Sequence, residues 1–413
     1  MDHTKLNIPK LNPIEAFPVE YEGEKLICVR DPLNISDKIL YVYPETLYLM
    51  GMFDGEHSVS DIQAAALEKF GQRISPEDIG KLINQLDEAL FLDSEKFSNH
   101  KARLESGFMD SSTRSASHAG LSYPEDVPEL TEWFREFFNK AEESKPHKPE
   151  RSRLKGIISP HIDFTRGGNS YALAYRELID NSGAETFLIF GTSHYAEVEN
   201  PFILTGKDFE TPLGIAQTDI SIVDRLSGSC PWDVFQGEIS HRTEHSIEFQ
   251  VAFLQYILSG KRDFKIVPIL CNSFFRLVEQ GKSPSEDEKI TVFLDSISGI
   301  VSELGESVCV IAGADMAHVG PKFGDREPVN EHKLNTIKER DIVSLEHSES
   351  MDAEGFYRSV EEEKDWRRIC GLSPIYSLLR TVGASRGKIL DYDQALEPDT
   401  GSVVSFGSVA FYS

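Results

Sequence analysis

The sequence predicts an α/β fold, a central sheet flanked by helices, preceded by a small α+β domain of winged-helix-like outline. Three features point to it. From residue 154 onward, short apolar runs alternate with stretches of helical periodicity, the pattern of a sheet covered by helices on both faces. Ahead of these, two short strand-like runs are followed by three amphipathic helical segments. Between the two regions, Ser111-Ser112-Thr113-Arg114-Ser115-Ala116-Ser117 is small and polar, the composition of a linker. The expected division is a domain over 1–105, a linker over 106–117 and a larger domain over 118–413.

In chain order, Leu26-Ile27-Cys28-Val29-Arg30 and Ile39-Leu40-Tyr41-Val42-Tyr43 read as strands, split by the turn-forming Asp31-Pro32-Leu33-Asn34. A helix from Glu45 to Met52 stops at Asp54-Gly55. A second starts at Ser60 as its N-cap, with Ile62, Ala66, Leu67 and Phe70 on one face. Ser75-Pro76-Glu77-Asp78 supplies a cap, a first-turn proline and first-turn acids for a third, whose apolar face is Ile79, Leu82, Ile83, Leu86 and Leu90. Beyond the linker, Leu130, Trp133, Phe134, Phe137 and Phe138 recur at helical spacing between Pro128 and Ala141, as a helix docked on the main domain would. Lys145-Pro146-His147-Lys148-Pro149 leads into the next strand. Strands are expected at 154–159, 186–191, 265–270, 308–313 and 403–411, and helices near 168–181, 243–259, 288–304, 331–347 and 371–383.

Composition narrows the function. With 413 residues, 40% of them hydrophobic and 10% aromatic, the chain can build real cores in more than one domain. A formal charge of −26, with no Lys/Arg-rich stretch, argues against a nucleic-acid partner, because phosphate binding needs a basic surface. The cysteines Cys28, Cys230, Cys271, Cys309 and Cys370 are scattered with no CxxC pair, the usage of a reducing compartment. Met1-Asp2-His3-Thr4-Lys5-Leu6-Asn7 lacks the apolar core of a signal peptide, and no apolar run approaches a membrane span. A cytoplasmic location without a membrane partner is therefore expected.

One pocket is implied at the strand ends. His161 in Ser159-Pro160-His161, His194 in Thr192-Ser193-His194 and His318 in Asp315-Met316-Ala317-His318 each follow an apolar run. Loops at the carboxyl ends of strands build ligand sites in α/β folds. Converging imidazoles suit a metal, and His161 and His194 follow consecutive predicted strands. Cys370 can join them from Ile369-Cys370-Gly371-Leu372-Ser373-Pro374, where Gly371 permits close backbone approach and Ser373-Pro374 can cap the next helix. A thiolate beside two imidazoles suits zinc, copper or iron. Taken singly, such a cysteine is more often packed core and such a histidine more often a hydrogen-bonded loop residue.

Asp315 and His318, three apart, can work as a general base with an orienting carboxylate. His245 and Glu248 share one face at the start of a helix that Thr243 can cap, and a polar pair on a mostly apolar helix needs a reason. Gly167-Gly168 reads as a tight turn, or alternatively as amide donors for an anion. No Walker loop, G-x-G-x-x-G, G-x-S-x-G or H-E-x-x-H is present.

Two resemblances add to this. The stretch from Tyr43-Pro44-Glu45-Thr46-Leu47 through Phe53-Asp54-Gly55 to Val59-Ser60-Asp61-Ile62 resembles PqqD-like domains, which implies capture of a peptide as an added strand. Ala119-Gly120-Leu121-Ser122-Tyr123-Pro124 is followed in order by the PH, TSH, EHSIE, D-x-x-H and ICG-x-x-P motifs that contain the residues above. With these, residues from about 116 to 413 resemble the Memo family, also called AmmeMemoRadiSam system protein B, which shares the mixed-sheet fold of class III non-haem extradiol dioxygenases.

The resemblance implies His161 and His194 as metal-coordinating residues, Cys370 as the site cysteine, Asp315 and His318 as the pocket pair with His318 as acid–base residue, and His245 near the pocket. It further implies a divalent or redox metal, iron or copper ahead of zinc. It also implies an unidentified small-molecule or peptide substrate and a radical-SAM or related pathway protein as partner. The chain departs from the family's PHAGY at Pro160-His161-Ile162-Asp163-Phe164, where Asp163 either adds an oxygen ligand or pairs with Arg166. The expected function is a metal-dependent oxidoreductase in which His318 moves a proton. The alternatives are a non-catalytic scaffold and a metal-dependent hydrolase.

Overall fold

The computed structural model describes residues 8–21, 23–146, 150, 152–196 and 198–413, so the Met1–Asn7 and His147-Lys148-Pro149 readings lie outside the described residues. The chain forms two compact units, one ending at Asp110 and the other beginning at Ser111.

In the first unit, β1 (Glu15–Tyr21), β2 (Glu24–Arg30) and β3 (Ile39–Val42) form an antiparallel sheet in that order. Helices α1 (Pro44–Met50), α2 (Val59–Phe70), α3 (Pro76–Glu88) and α4 (Glu95–Asp110) follow. Val29, Met50, Phe53, Ile62, Ala66, Ile83 and Leu86 are among the residues of its own core. Ser58, not Ser60, caps α2, because Asp61 three residues on completes a reciprocal capping box. Ser75 caps α3 with Pro76 in its first turn, as the sequence indicates. Helix α4 runs to Asp110, entering the first residues of the stretch 106–117 read as linker. It buries Phe108 alone, so no apolar stripe announced it. Among the described residues β3 pairs with β2 only, and Ile39 and Tyr41 are 56% and 45% exposed.

The second unit opens with β4 (Thr113–Arg114) and α5 (Val127–Ser144). Next come β5 (Leu154–Ser159), α6 (Phe164–Asn181), β6 (Thr186–Thr192), β7 (Phe202–Leu204), β8 (Asp208–Thr211) and β9 (Gly214–Thr218). They lead to α7 (Ile220–Ser229), α8 (His245–Leu258), β10 (Lys265–Cys271), α9 (Phe275–Gln280), α10 (Glu288–Leu304) and β11 (Val308–Gly313). The chain ends with β12 (His318–Val319), α11 (Glu331–Glu349), α12 (Ala353–Glu361), α13 (Leu372–Thr381), β13 (Arg386–Glu397) and β14 (Ser402–Tyr412).

The strands make one mixed sheet in the order β12-β14-β5-β11-β6-β10-β9-β8-β4, with β13 on β14 and β7 on β10. Its middle, β5, β11, β6 and β10, is parallel and buried on both faces, which explains the continuous apolar runs there. One face packs on α5, α6 and α8 and the other on α7, α10, α12 and α13. Phe253 of α8 lies 4.4 Å from Phe134 of α5 and stacks on Tyr171 of α6 at 4.8 Å. Such ring pairs are worth about 0.5–1.5 kcal/mol beyond area burial, and here they seat the middle of α8 against α5 and α6. Gly167 and Gly168 sit within the first five residues of α6 rather than in a tight turn. A Cβ on Gly168 would lie 2.5 Å from the Phe137 ring, so these glycines serve helix packing. Among the described residues no helix is long and apolar enough to cross a membrane.

Candidate metal centre

Three neighbouring parallel strands deliver the site. His161 follows β5, His194 follows β6, and β11, ending just before Asp315, lies between them. The two histidines are thus not on adjacent strands. Their rings nonetheless meet with centroids 5.1 Å apart, because both turn over the end of β11. His245, the first residue of α8, completes the group: its ring stacks on His194 at 4.9 Å and stands edge-on to His161 at 5.3 Å. Among the described residues, the donor atoms that lie within 4.8 Å of one another and can hold a metal are those of His161, His194 and His245.

Each ring is aimed by what holds its Nδ1. The Nδ1 of His161 lies 2.9 Å from the Gly313 carbonyl, which can only accept, so Nδ1 carries the proton and Nε2 keeps its lone pair. His194 Nδ1 is 3.0 Å from both carboxylate oxygens of Glu244, and His245 Nδ1 is 3.1 Å from one of them. Glu244 also N-caps α8, accepting from the backbone N–H groups of His245 and Ser246. It takes the N–H of His194 as well. Thr243 is therefore not the cap. An outer acceptor on Nδ1 leaves Nε2 as the nitrogen for a metal, the usual arrangement of ligating histidines.

The electrostatics favour a cation. Asp315 and Glu244 are buried carboxylates whose ion-pair partners among the described residues are histidines, not Lys or Arg. Burial alone would push the Glu244 carboxyl up, but His194 and then His245 outweigh it and hold it well below the usual range. Burial drives His245 down to about 4 against the pull of Glu244, so its imidazole is neutral at pH 7 and able to ligate. Burial likewise lowers His161, opposed by Asp315.

The remaining expected residues take distinct places. Asp315 accepts the His161 N–H at 2.8 Å, with its other oxygen 3.7 Å from His161 Nε2. It does not fix the tautomer of His318, whose Nδ1 meets the Met316 carbonyl at 3.1 Å. His318 lies in β12, not in a strand-to-helix turn, and burial pushes it down to about 4. Cys370 Sγ is 3.2 Å from His161 Nε2, beside the trio rather than within it, and burial together with Asp315 keeps its thiol protonated. Gly371 does allow the close approach read from sequence, since a Cβ there would lie 2.4 Å from the Asp315 carbonyl. Ser373 caps nothing and instead accepts from the Phe274 N–H. Asp163 N-caps α6 and pairs with Arg166 at 2.5 Å, so its carboxylate is taken up outside the histidine group.

Behind the rings lie two arginines that sequence reading passed over, Arg114 and Arg367. Glu248 pairs not with His245 but with Arg114, both side chains fully buried, and also accepts from the Tyr123 hydroxyl. Arg367, equally buried, binds Asp341 and Glu363 while its carbonyl receives the His318 N–H at 2.7 Å. The detectable signals were a lone arginine in a serine run and a glutamate directly before a helix-start histidine.

The sequence profile of the family described as "Memo-like protein" matches residues 114–410. A MEMO1 family protein of Aquifex aeolicus is 31% identical over 405 residues, covering 97% of this chain and 99% of its own length. MEMO1 family proteins of Methanosarcina barkeri and Thermus thermophilus are 29% and 26% identical, over 72% and 85% of this chain and 98% of their own lengths. Motif order, strand-end histidines, profile and relatives agree, and the chain belongs to the Memo-like family.

Proposed function

We propose that the protein is a metal-dependent oxidoreductase whose metal is held by His161, His194 and His245, with Cys370 beside the site as a redox-capable thiol. The observation that carries this reading is the convergence of three imidazoles over buried Asp315 and Glu244. The donor set fits a divalent or redox metal, and the family resemblance favours iron or copper ahead of zinc. Such a metal would supply the electron transfer and Lewis acidity that the side chains lack. Glu244 aims two rings at once, and Asp315 fixes the loop carrying the third. His318, neutral at pH 7, accepts and returns a proton as general base and acid.

The cysteines form no disulfide, which supports a cytoplasmic site of action. Ile39 and Tyr41, both exposed on β3, support recruitment of an extended peptide or protein partner by the first unit. A radical-SAM or related pathway protein is the partner class the family resemblance favours.

Metal analysis of anaerobically purified protein tests the site. Wild type should carry metal, and His161→Ala and His245→Ala should lose occupancy by roughly tenfold or more. Full occupancy in both variants would sink the ligand assignment. Turnover that proceeds equally without O₂ would favour the hydrolase instead.

A further inference from the structure

We infer that Arg114 and Glu248 form a buried positioning pair that aims two of the three histidines, a role that rests on the metal-site reading. All five guanidinium N–H groups of Arg114 are used. Nε donates to the His241 carbonyl at 2.8 Å, and Nη1 to the Ser115 carbonyl at 3.0 Å and to Glu248. Nη2 donates to Ser117 Oγ and to the Glu244 carbonyl, both at 2.8 Å. Glu248 is equally saturated, accepting from the Ser117 N–H and hydroxyl at 3.2 and 3.1 Å, from the His118 N–H at 3.0 Å, and from Tyr123.

The fork therefore grips main-chain carbonyls on both sides of the turn from His241 to Glu244, and Glu248 locks that grip one turn into α8. The Glu244 side chain in turn holds the Nδ1 atoms of His194 and His245. A displaced Glu244 moves two ligands together. His161 is steadied separately, through Gly313 and Asp315. A buried ion pair of this kind is weak evidence of stabilisation, and its directionality at the ligand-bearing turn is what assigns it to positioning.

That asymmetry supplies the test, on the full chain with ¹⁵N-labelled histidine. Arg114→Lys keeps the charge and loses the fork. The ring resonances of His194 and His245 should shift or broaden while those of His161 stay in place. Co²⁺ affinity should fall about 10–100-fold with altered visible absorption. Ser117→Ala, a milder lesion in the same network, should move the same resonances less. Tyr412→Phe, which deletes a buried hydroxyl bonded to Glu177 at 2.9 Å, should move neither resonances nor affinity. Unmoved His194 and His245 resonances in folded Arg114→Lys overturn the inference. If that variant does not fold, Ser117→Ala decides on the same criterion. A wild type that takes up no Co²⁺ defeats the metal reading alone, since the ring resonances still judge positioning.

Discussion

Glu244 joins three tasks in one side chain. It caps α8, grips the backbone of the His194 loop and carries two imidazoles. Two histidines of the second unit are held neutral by burial, and this has a consequence in pH. His241, 1% exposed, is driven by burial down to about 3, and His318 to about 4, from an ordinary 6.5. Both folded values lie below the unfolded one, so on acidification the unfolded chain takes up these protons first. Stability should be flat above pH 6.5 and fall as pH drops from there toward 4, by on the order of 2–4 kcal/mol for each histidine. Urea unfolding at pH 7.5 and 4.5 reads this directly, and His241→Gln and His318→Gln should each flatten the slope. An unchanged slope in both would remove the explanation. At this scale much of the site was legible: His161, His194, Asp315, His318 and Cys370 end strands or sit in turns beside glycine and proline, where side chains rarely serve packing. Glu244 was hidden because Thr243 beside it reads as the helix cap, and Arg114 because serines around it imitate a linker.

Among elements, the buried parallel strands announced themselves as apolar runs, and their helices by periodicity. What stayed hidden was amphipathic or short. β13 buries little along most of its length, so no run of apolar residues marks it, and β7, β8 and β9 are each 5 residues or fewer. The insertion of β11 between β5 and β6 could not be read either, because neighbours in a parallel sheet need not be neighbours in sequence. The exposed side chains of β3 bear the recruitment proposal. Tyr41→Lys charges that strand without touching the core of the first unit, and should weaken binding of an extended partner peptide at least tenfold, about 1.4 kcal/mol, in a calorimetric titration. Metal content should not change. Undiminished binding would move the partner surface elsewhere.

For the whole molecule, the two units carry separate cores. The Methanosarcina relative fits 98% of its length onto 72% of this chain, which leaves no room in it for a counterpart of every element here. A chain starting at Ser111 should therefore fold and bind Co²⁺ as the full protein does, whereas one starting at Gly120, without Arg114, should bind about 10–100-fold more weakly. Equilibrium dialysis of both chains is the check, and equal affinity would deny the 111–119 segment any part in the site. The placement of the histidines on β5, β6 and α8 also bears on how a metal is acquired. His161, His194 and His245 lie dozens of residues apart in sequence, and they converge only once β11 has slotted between β5 and β6. The three proposed ligands come from separate stretches of the chain, so the site as proposed is complete only in the folded sheet. A metal held there would therefore be a read-out of completed folding rather than a template for it.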